Sequence, residues 1–342
     1  MSRLILLGTG AVGSAFVARH ARLMAAGMAL PPIFAMANSR GLQLVTGDAL
    51  ATLESLRAAP RVASDWLAAH DFSAGDVLVD ASSSDALAAR HAAWLAAGAS
   101  VVTACKLGLG TALARWQAID AARRLPGRHY GDSATVGAGL PLIREIRRLR
   151  RGGDAIHAIA GVLSGSLAWL FNHFDGELPF SAWVRRARDA GYTEPDPRED
   201  LSGEDVRRKL LILCRSAGFE LEAEAVKVTS LVPEALAGLS KAKFDAALPQ
   251  IDAALAQTFR ASRERGEVLK FIARFENGHA RVGLESLPLA HPLAQGTGTD
   301  NRVAIWTDRY HAQPLVIQGA GAGAEVTAAA LLDDVLAAVE AK

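Results

Sequence analysis

The sequence predicts an α/β protein: an N-terminal doubly wound parallel sheet, then an α+β domain, with a C-terminal tail returning to the first domain. Three observations carry this. Up to about residue 130, short apolar runs alternate with Ala-rich helical stretches. From about residue 135 the texture changes, and longer strands are separated by long helices. Near the end a strand, a Gly-rich turn and an Ala/Leu helix repeat the first texture. The implied segments are 1–134, 135–312 and a C-terminal return over 313–342.

In the first segment, residues 4–7, 33–37, 77–80 and 100–103 read as strands, with helical stretches at 12–26 and 86–97 between them. Strand, helix and strand at this spacing imply parallel pairing with right-handed crossovers. In the second, Pro141 suits the first position of a helix, which Gly152-Gly153 ends. Residues 154–163, 268–275, 280–287 and 303–307 read as strands of an open sheet. Residues 314–317 read as a fresh strand before Gly319-Ala320-Gly321-Ala322-Gly323. In the run Arg144 to Arg151, the stripe Leu142, Ile143, Ile146 and Leu149 faces a core. The arginines then form a solvated face whose charge suits a helix C-terminus.

Composition narrows the function. With 342 residues, half of them apolar, the chain can bury a large core. Lys+Arg 37 against Asp+Glu 36 leaves a net charge of +1, which points away from nucleic acid and anionic membranes. Two distant cysteines, Cys105 and Cys214, imply neither a disulfide framework nor a metal knuckle. The run before Gly8 is too short for a signal-peptide core, and no run approaches the roughly 20 apolar residues of a membrane span. The expectation is a cytoplasmic protein with a small-molecule substrate.

Gly8-Thr9-Gly10-Ala11-Val12-Gly13 follows an apolar strand and opens a helix. Its glycines permit a tight turn and close backbone approach to a pyrophosphate, which the free N–H groups of the helix N-terminus would hold. This marks the first domain as Rossmann-type. Sites that prefer NAD carry an acid about 20 residues on. Here no Asp or Glu precedes Asp48, and the second strand ends in Asn38-Ser39-Arg40. Arg40 can pair with a 2′-phosphate, so NADP is expected, with NAD open.

The stretch from Gly191 to Lys209 is the densest chemical signal. Glu194, Asp196, Glu199, Asp200 and Glu204 crowd a Pro-braced loop that feeds a helix carrying Asp205 and Lys209. Such a loop is costly to hold unless a cation sits in it. Asp205 and Lys209, one turn apart, suit a substrate bearing an amino group and a reducible carbonyl. The bland alternative is an N-cap at Ser202 with an ordinary surface ion pair worth about 0.5 kcal/mol. The histidines show no metal spacing.

These pieces together resemble the homoserine dehydrogenase family over essentially the full chain. The matching segments occur in the family's order: the loop at 8–13, Val101 to Lys106, Thr135 to Pro141, Gly161 to Ser166, Gly191 to Lys209, and Gly319 to Gly323. The Gly191–Lys209 signature most resembles the dehydrogenase half of bifunctional aspartate kinase–homoserine dehydrogenases. The length leaves no room for a kinase or a threonine-sensing regulatory domain, so a monofunctional form is expected.

The resemblance implies reversible reduction of L-aspartate 4-semialdehyde to L-homoserine by NAD(P)H, on the route to threonine, methionine and isoleucine, in a homodimer. It implies that Glu194 binds the substrate amino group with Asp205 nearby. It assigns Lys209 as proton donor and Lys106 as a second lysine between substrate and nicotinamide. It places Ser82 and Gly323 against the cofactor, and a structural sodium ion on the carbonyls of Val136, Ala138 and Leu140. Two positions depart from the pattern: Cys105 stands where many relatives have Asn, and Ser133 where some have a Glu ligand for sodium. The Lys106 ammonium could lower the Cys105 thiol pKa, although hydride transfer needs no thiol. Another amino-acid-linked reductase, or a non-catalytic sensor of NADP(H), remains open at this stage.

Overall fold

A computed structural model describes residues 3–61 and 72–340. The chain forms two compact units, one running to Gly139 and resuming at Ala322, the other Leu140–Gly321.

The first unit holds β1 (Arg3–Leu7), β2 (Ile33–Asn38), β3 (Gly41–Leu44), β4 (Asp76–Asp80), β5 (Ser100–Thr103) and β6 (Tyr130–Gly131), ordered β3-β2-β1-β4-β5-β6. Pairing is parallel from β2 to β6, and β3 is an antiparallel edge hairpin on β2. Leu4, Leu6, Val77 and Val79 are buried, as strands covered on both faces require. Helix Ala11–Ala25 and the C-terminal helix Ala324–Glu340 share this core, where Phe16, Leu331 and Val335 join Leu6 and Val79. The helix expected over 86–97 is broken into Asp85–Ala88 and His91–Ala97, the first capped by the Ser84 hydroxyl. β6 escapes sequence reading because two residues carry no period, and β3 because Gly-Leu-Gln-Leu, with no buried residue, is not an apolar run.

The second unit holds β7 (Ile156–Val162), β8 (Val226–Val228), β9 (Glu267–Glu276), β10 (His279–Pro288), β11 (Asn301–Thr307) and β12 (Leu315–Gly319), ordered β12-β11-β7-β9-β10-β8. Asn277 and Gly278, at φ +51° and +78°, make the tight turn that fixes the ten-pair register of β9 on β10. One reading needs correction. The strand after residue 313 does not belong with the first texture: β12 pairs antiparallel with β11, Asn301 opposite Gly319. The return to the first unit begins at Ala322. Helix Leu142–Arg151 buries Leu142, Ile143, Ile146 and Leu149. Of its arginines, Arg148 pairs with Glu145 and Arg150 donates to the Ser216 carbonyl at 3.0 Å. The basic face is therefore partly engaged by the protein itself.

Candidate active site

Three loops leave one edge of the first sheet. Leu7, Asp80 and Thr103, the last residues of β1, β4 and β5, stand in register, Leu7 opposite Asp80 and Asp80 opposite Thr103. The glycine loop, Ala81–Ser84 and Ala104–Lys106 therefore start side by side at the carboxyl ends of parallel strands, where such sheets bind ligands. Gly8 takes φ +102°, and a Cβ there would sit 2.9 Å from the Ala81 carbonyl. A Cβ on Gly13 would meet the Gly8 carbonyl oxygen at 2.0 Å. Gly10, by contrast, faces open space. It caps helix Ala11–Ala25 with no side-chain hydrogen bond, and the first turn, with Ala11 and Val12, has no acid. The helix end is thus bare and unneutralised, which fits a pyrophosphate.

Asn38, at the end of β2, ties the loop down. Its amide donates to Thr9 Oγ1 at 2.8 Å and accepts from the Arg40 N–H at 2.7 Å. The half-buried Arg40 is thereby fixed beside the loop, and its guanidinium donates to the Ala59 carbonyl. Ser82 donates to Asp80 Oδ1 at 2.6 Å. Behind it runs a network that the sequence did not announce. Asp80 Oδ2 meets His91 Nε2 at 3.0 Å, and His91 Nδ1 meets the Tyr130 hydroxyl at 3.0 Å. Asp80 and His91 are fully buried. Nothing in the spacing of residues 80, 91 and 130 could have linked them.

Lys106 is half-buried after β5, and Gly323 heads the C-terminal helix with φ +124°. Cys105 reverses its expectation: burial, then the Asp80 carboxylate, push its thiol up to about 12, outweighing Lys106. Val136 is extended, while Gly137 and Ala138 both take left-handed φ, +76° and +50°. Ser133 gives its hydroxyl and its N–H to Asp334 Oδ2, at 2.6 and 3.0 Å. Among the described residues no cluster of three or more His, Cys, Asp or Glu could hold a metal.

In the second unit two of the five acids of the loop are neutralised from within. Asp196 is clamped by Arg198, whose guanidinium also reaches the Ala237 carbonyl and lies over the Phe244 ring. Glu204 pairs with Arg207 at 2.6 Å. Asp200 accepts from Ser166 Oγ at 2.7 Å and from the Glu194 N–H at 2.8 Å, and burial raises its pKa. The cations that make such a loop affordable are therefore its own arginines. Glu194 is left exposed, with no ion pair among the described residues. Ser202 is not the helix cap; Gly203 is, at φ +78°, where any side chain would strike Phe271.

Helix Glu204–Ser216 is buried nearly all round, and Lys209 is only 9% exposed. Its ammonium donates to Asp205 Oδ2 and to the Leu163 carbonyl, both at 2.8 Å. The lysine end of this pair is buried, while the Asp205 side chain is 44% exposed. The Leu163 carbonyl also lies 3.5 Å from the amide of Asn301, a wholly buried residue. Ser166 and Asn301 join this cluster from 43 and 92 positions away, which is why local pattern reading missed them.

The first unit has the bare, glycine-cleared helix end of the dinucleotide-binding class, and the second holds a buried lysine oriented by an acid. Family models give the chain a narrower place: that for homoserine dehydrogenase matches residues 141–336, and that for its NAD-binding domain residues 8–130. The homoserine dehydrogenase of Saccharomyces cerevisiae is 36% identical over 97% of this chain and 96% of its own length. The bifunctional aspartokinase/homoserine dehydrogenase 2 of Escherichia coli is 43% identical over 79% of this chain, which spans about a third of that relative. A crystal structure of a Candida auris protein of unknown function superposes with a TM-score of 0.87 at 34% identity, covering 99% of this chain and 98% of that one. The chain belongs to the homoserine dehydrogenase family.

Proposed function

We propose that this chain catalyses the reversible NADPH-dependent reduction of L-aspartate 4-semialdehyde to L-homoserine. The observation that carries the reading is Lys209. Two of its three N–H donors are held, by Asp205 and the Leu163 carbonyl, so one remains for a substrate oxygen. A bound nicotinamide supplies the hydride. Lys209 stabilises the oxygen as negative charge grows on it and passes it a proton, while Asp205 and Leu163 fix the ammonium in place. Glu194, an exposed carboxylate of the loop with no ion pair among the described residues, holds the substrate's amino group, with Asp205 nearby. Lys106 is the second lysine of the reaction.

NADP is favoured over NAD by Arg40, anchored beside the glycine loop where no acid stands. Gly8, Gly10, Ala11, Val12, Gly13, Ser82 and Gly323 would line the cofactor. Sodium would rest on the carbonyls of Val136, Ala138 and Leu140. At 133 this chain offers it no carboxylate, and the hydroxyl there is committed to Asp334. We assign the enzyme to the cytoplasm, as a homodimer built through the second unit, in the synthesis of threonine, methionine and isoleucine. Among the described residues no helix is long and apolar enough to cross a membrane. The test is oxidation of NADPH that depends on the aldehyde, with purified protein. Binding of NADPH without turnover would reduce the chain to a sensor.

A further inference from the structure

We propose that a cleft beside Lys270, in the second unit, binds a small organic carboxylate. The cleft has a volume of about 360 Å³ and is walled by Lys270, Arg263, His173 and the rings of Phe171, Phe174 and Phe259, with Asp175 at its margin. That is large enough for a small ligand.

Lys270 is the anomaly. It is 6% exposed, on β9, and its ammonium donates to the side-chain oxygen of Asn172, a neutral group. Among the described residues it makes no ion pair. The acid directly across the ladder, Glu285, is taken by Arg274 at 2.7 Å and Arg281 at 3.2 Å. Buried charges are normally paired, because an ammonium removed from water without a counter-ion is costly. Burial alone holds the Lys270 pKa below the usual lysine range, and an anion would reverse that.

The surrounding groups suit an acid head with an apolar body. Arg263 is exposed on the wall and makes no ion pair among the described residues. His173 Nδ1 lies 2.8 Å from the Trp169 carbonyl, so that nitrogen carries the hydrogen, and the neutral ring's Nε2, an acceptor, would meet the acid head only through a water. Asp175 is the one carboxylate on the wall, and its Oδ1 accepts from the Glu177 N–H at 2.9 Å. The three phenylalanine rings give a surface that inorganic phosphate would not use and an alkyl chain would. The helix that contributes Asn172 and His173 carries Ser166 near its other end, so an occupant bears on the helix that holds Asp200.

The test is calorimetric titration of the whole protein with butyrate, and separately with inorganic phosphate, each against chloride at matched ionic strength. Saturable butyrate binding is expected at about 10 mM or below. It should weaken about tenfold or more in Lys270→Met and persist in Lys270→Arg. Should Lys270→Met not fold, Arg263→Gln serves, with a several-fold loss expected. No saturable binding, binding of phosphate alone, or equal butyrate affinity in the variants overturns the proposal.

Discussion

The glycine loop of the first unit and the acidic loop of the second are built on opposite plans. The first works by leaving side chains out. Gly8 and Gly13 are pressed against backbone, Gly10 faces open space, and the helix end stays uncapped. The second works by crowding charges in and cancelling two of its five acids, Asp196 by Arg198 and Glu204 by Arg207. What remains among the described residues is two exposed acids without ion pairs, Glu194 and Glu199, a half-buried Asp200 held by neutral donors, and one buried lysine, Lys209, oriented by Asp205. A site made of absent side chains can be read from a short motif, because backbone contact requires a glycine at 8 and at 13. A site made of residual charge cannot, because which carboxylate is left over depends on partners set by the fold.

The sharpest way to break this comparison is to remove the residual lysine. Lys209→Ala takes away an interaction that strengthens as the carbonyl oxygen gains charge. We expect kcat to fall by about 10²–10⁴ with far-ultraviolet circular dichroism unchanged. Steady-state kinetics decide it. Near-normal turnover in Lys209→Ala, with loss only in Lys106→Ala, would move the proton donor into the first unit.

Glu194 separates a free acid from the cancelled ones. Its proposed partner, an ammonium, keeps its charge throughout the reaction, so its removal acts on binding rather than on the barrier. Glu194→Gln should raise KM for the aldehyde by about 10–100-fold, as losing a charged hydrogen bond of about 1.5–3 kcal/mol implies. Asp196→Asn should leave KM near the wild-type value and cost thermal stability instead, since it unpairs Arg198. If the two variants exchange these effects, the division between free and cancelled acids is wrong.

Legibility differed in the same way. The parallel sheet, the loop at 8–13 and the helix after Pro141 all follow from short-range patterns. The placing of β12 did not: residues 314–317 carry a strand signal, but its partner β11 is specified only by the assembled sheet. Asp80, His91 and Tyr130 were likewise invisible, since only the order of β4, the following helices and β6 brings them together. The acidic loop was legible as a site and not as a circuit. Nothing in the spacing of Arg198 and Arg207 says which acid each will take; the fold puts them on Asp196 and Glu204.

The glycine plan has its own test, of smaller size. Gly13→Ala drives a methyl group against the Gly8 carbonyl, a backbone atom that cannot swing aside. Overpacking of this kind costs about 1–3 kcal/mol and should lower both the melting temperature and NADPH affinity. Gly10→Ala meets nothing within 4 Å and should leave the melting temperature close to wild type. It should weaken NADPH binding only if a ligand occupies that space. Fluorescence titration of NADPH into both variants separates steric damage to the protein from obstruction of the cofactor. A Gly13→Ala variant as stable as wild type would mean that the loop tolerates side chains and that the first plan is misread.

Cys105 should give the smallest effect on catalysis, and it probes whether the first unit hides a reactive side chain after all. Its thiol is buried and pushed up to about 12. At pH 8 only about one molecule in 10⁴ then carries the thiolate, the form that attacks electrophiles. Iodoacetamide should leave Cys105 unlabelled in the native protein and label it once unfolded, and Cys105→Ala should keep kcat within a few-fold of wild type. The sign of the pH effect follows from linkage. The folded pKa lies above the unfolded one, near 8.5, so the thiol's contribution to stability is complete below about pH 8.5 and is lost as pH rises toward about 12. At pH 10 that loss amounts to about 2 kcal/mol at most. Urea midpoints at pH 8 and pH 10 should therefore fall further apart in wild type than in Cys105→Ala. Rapid native labelling with an unchanged alkaline limb would show a depressed thiol pKa, and the Lys106 ammonium would then govern this corner of the first unit in place of burial.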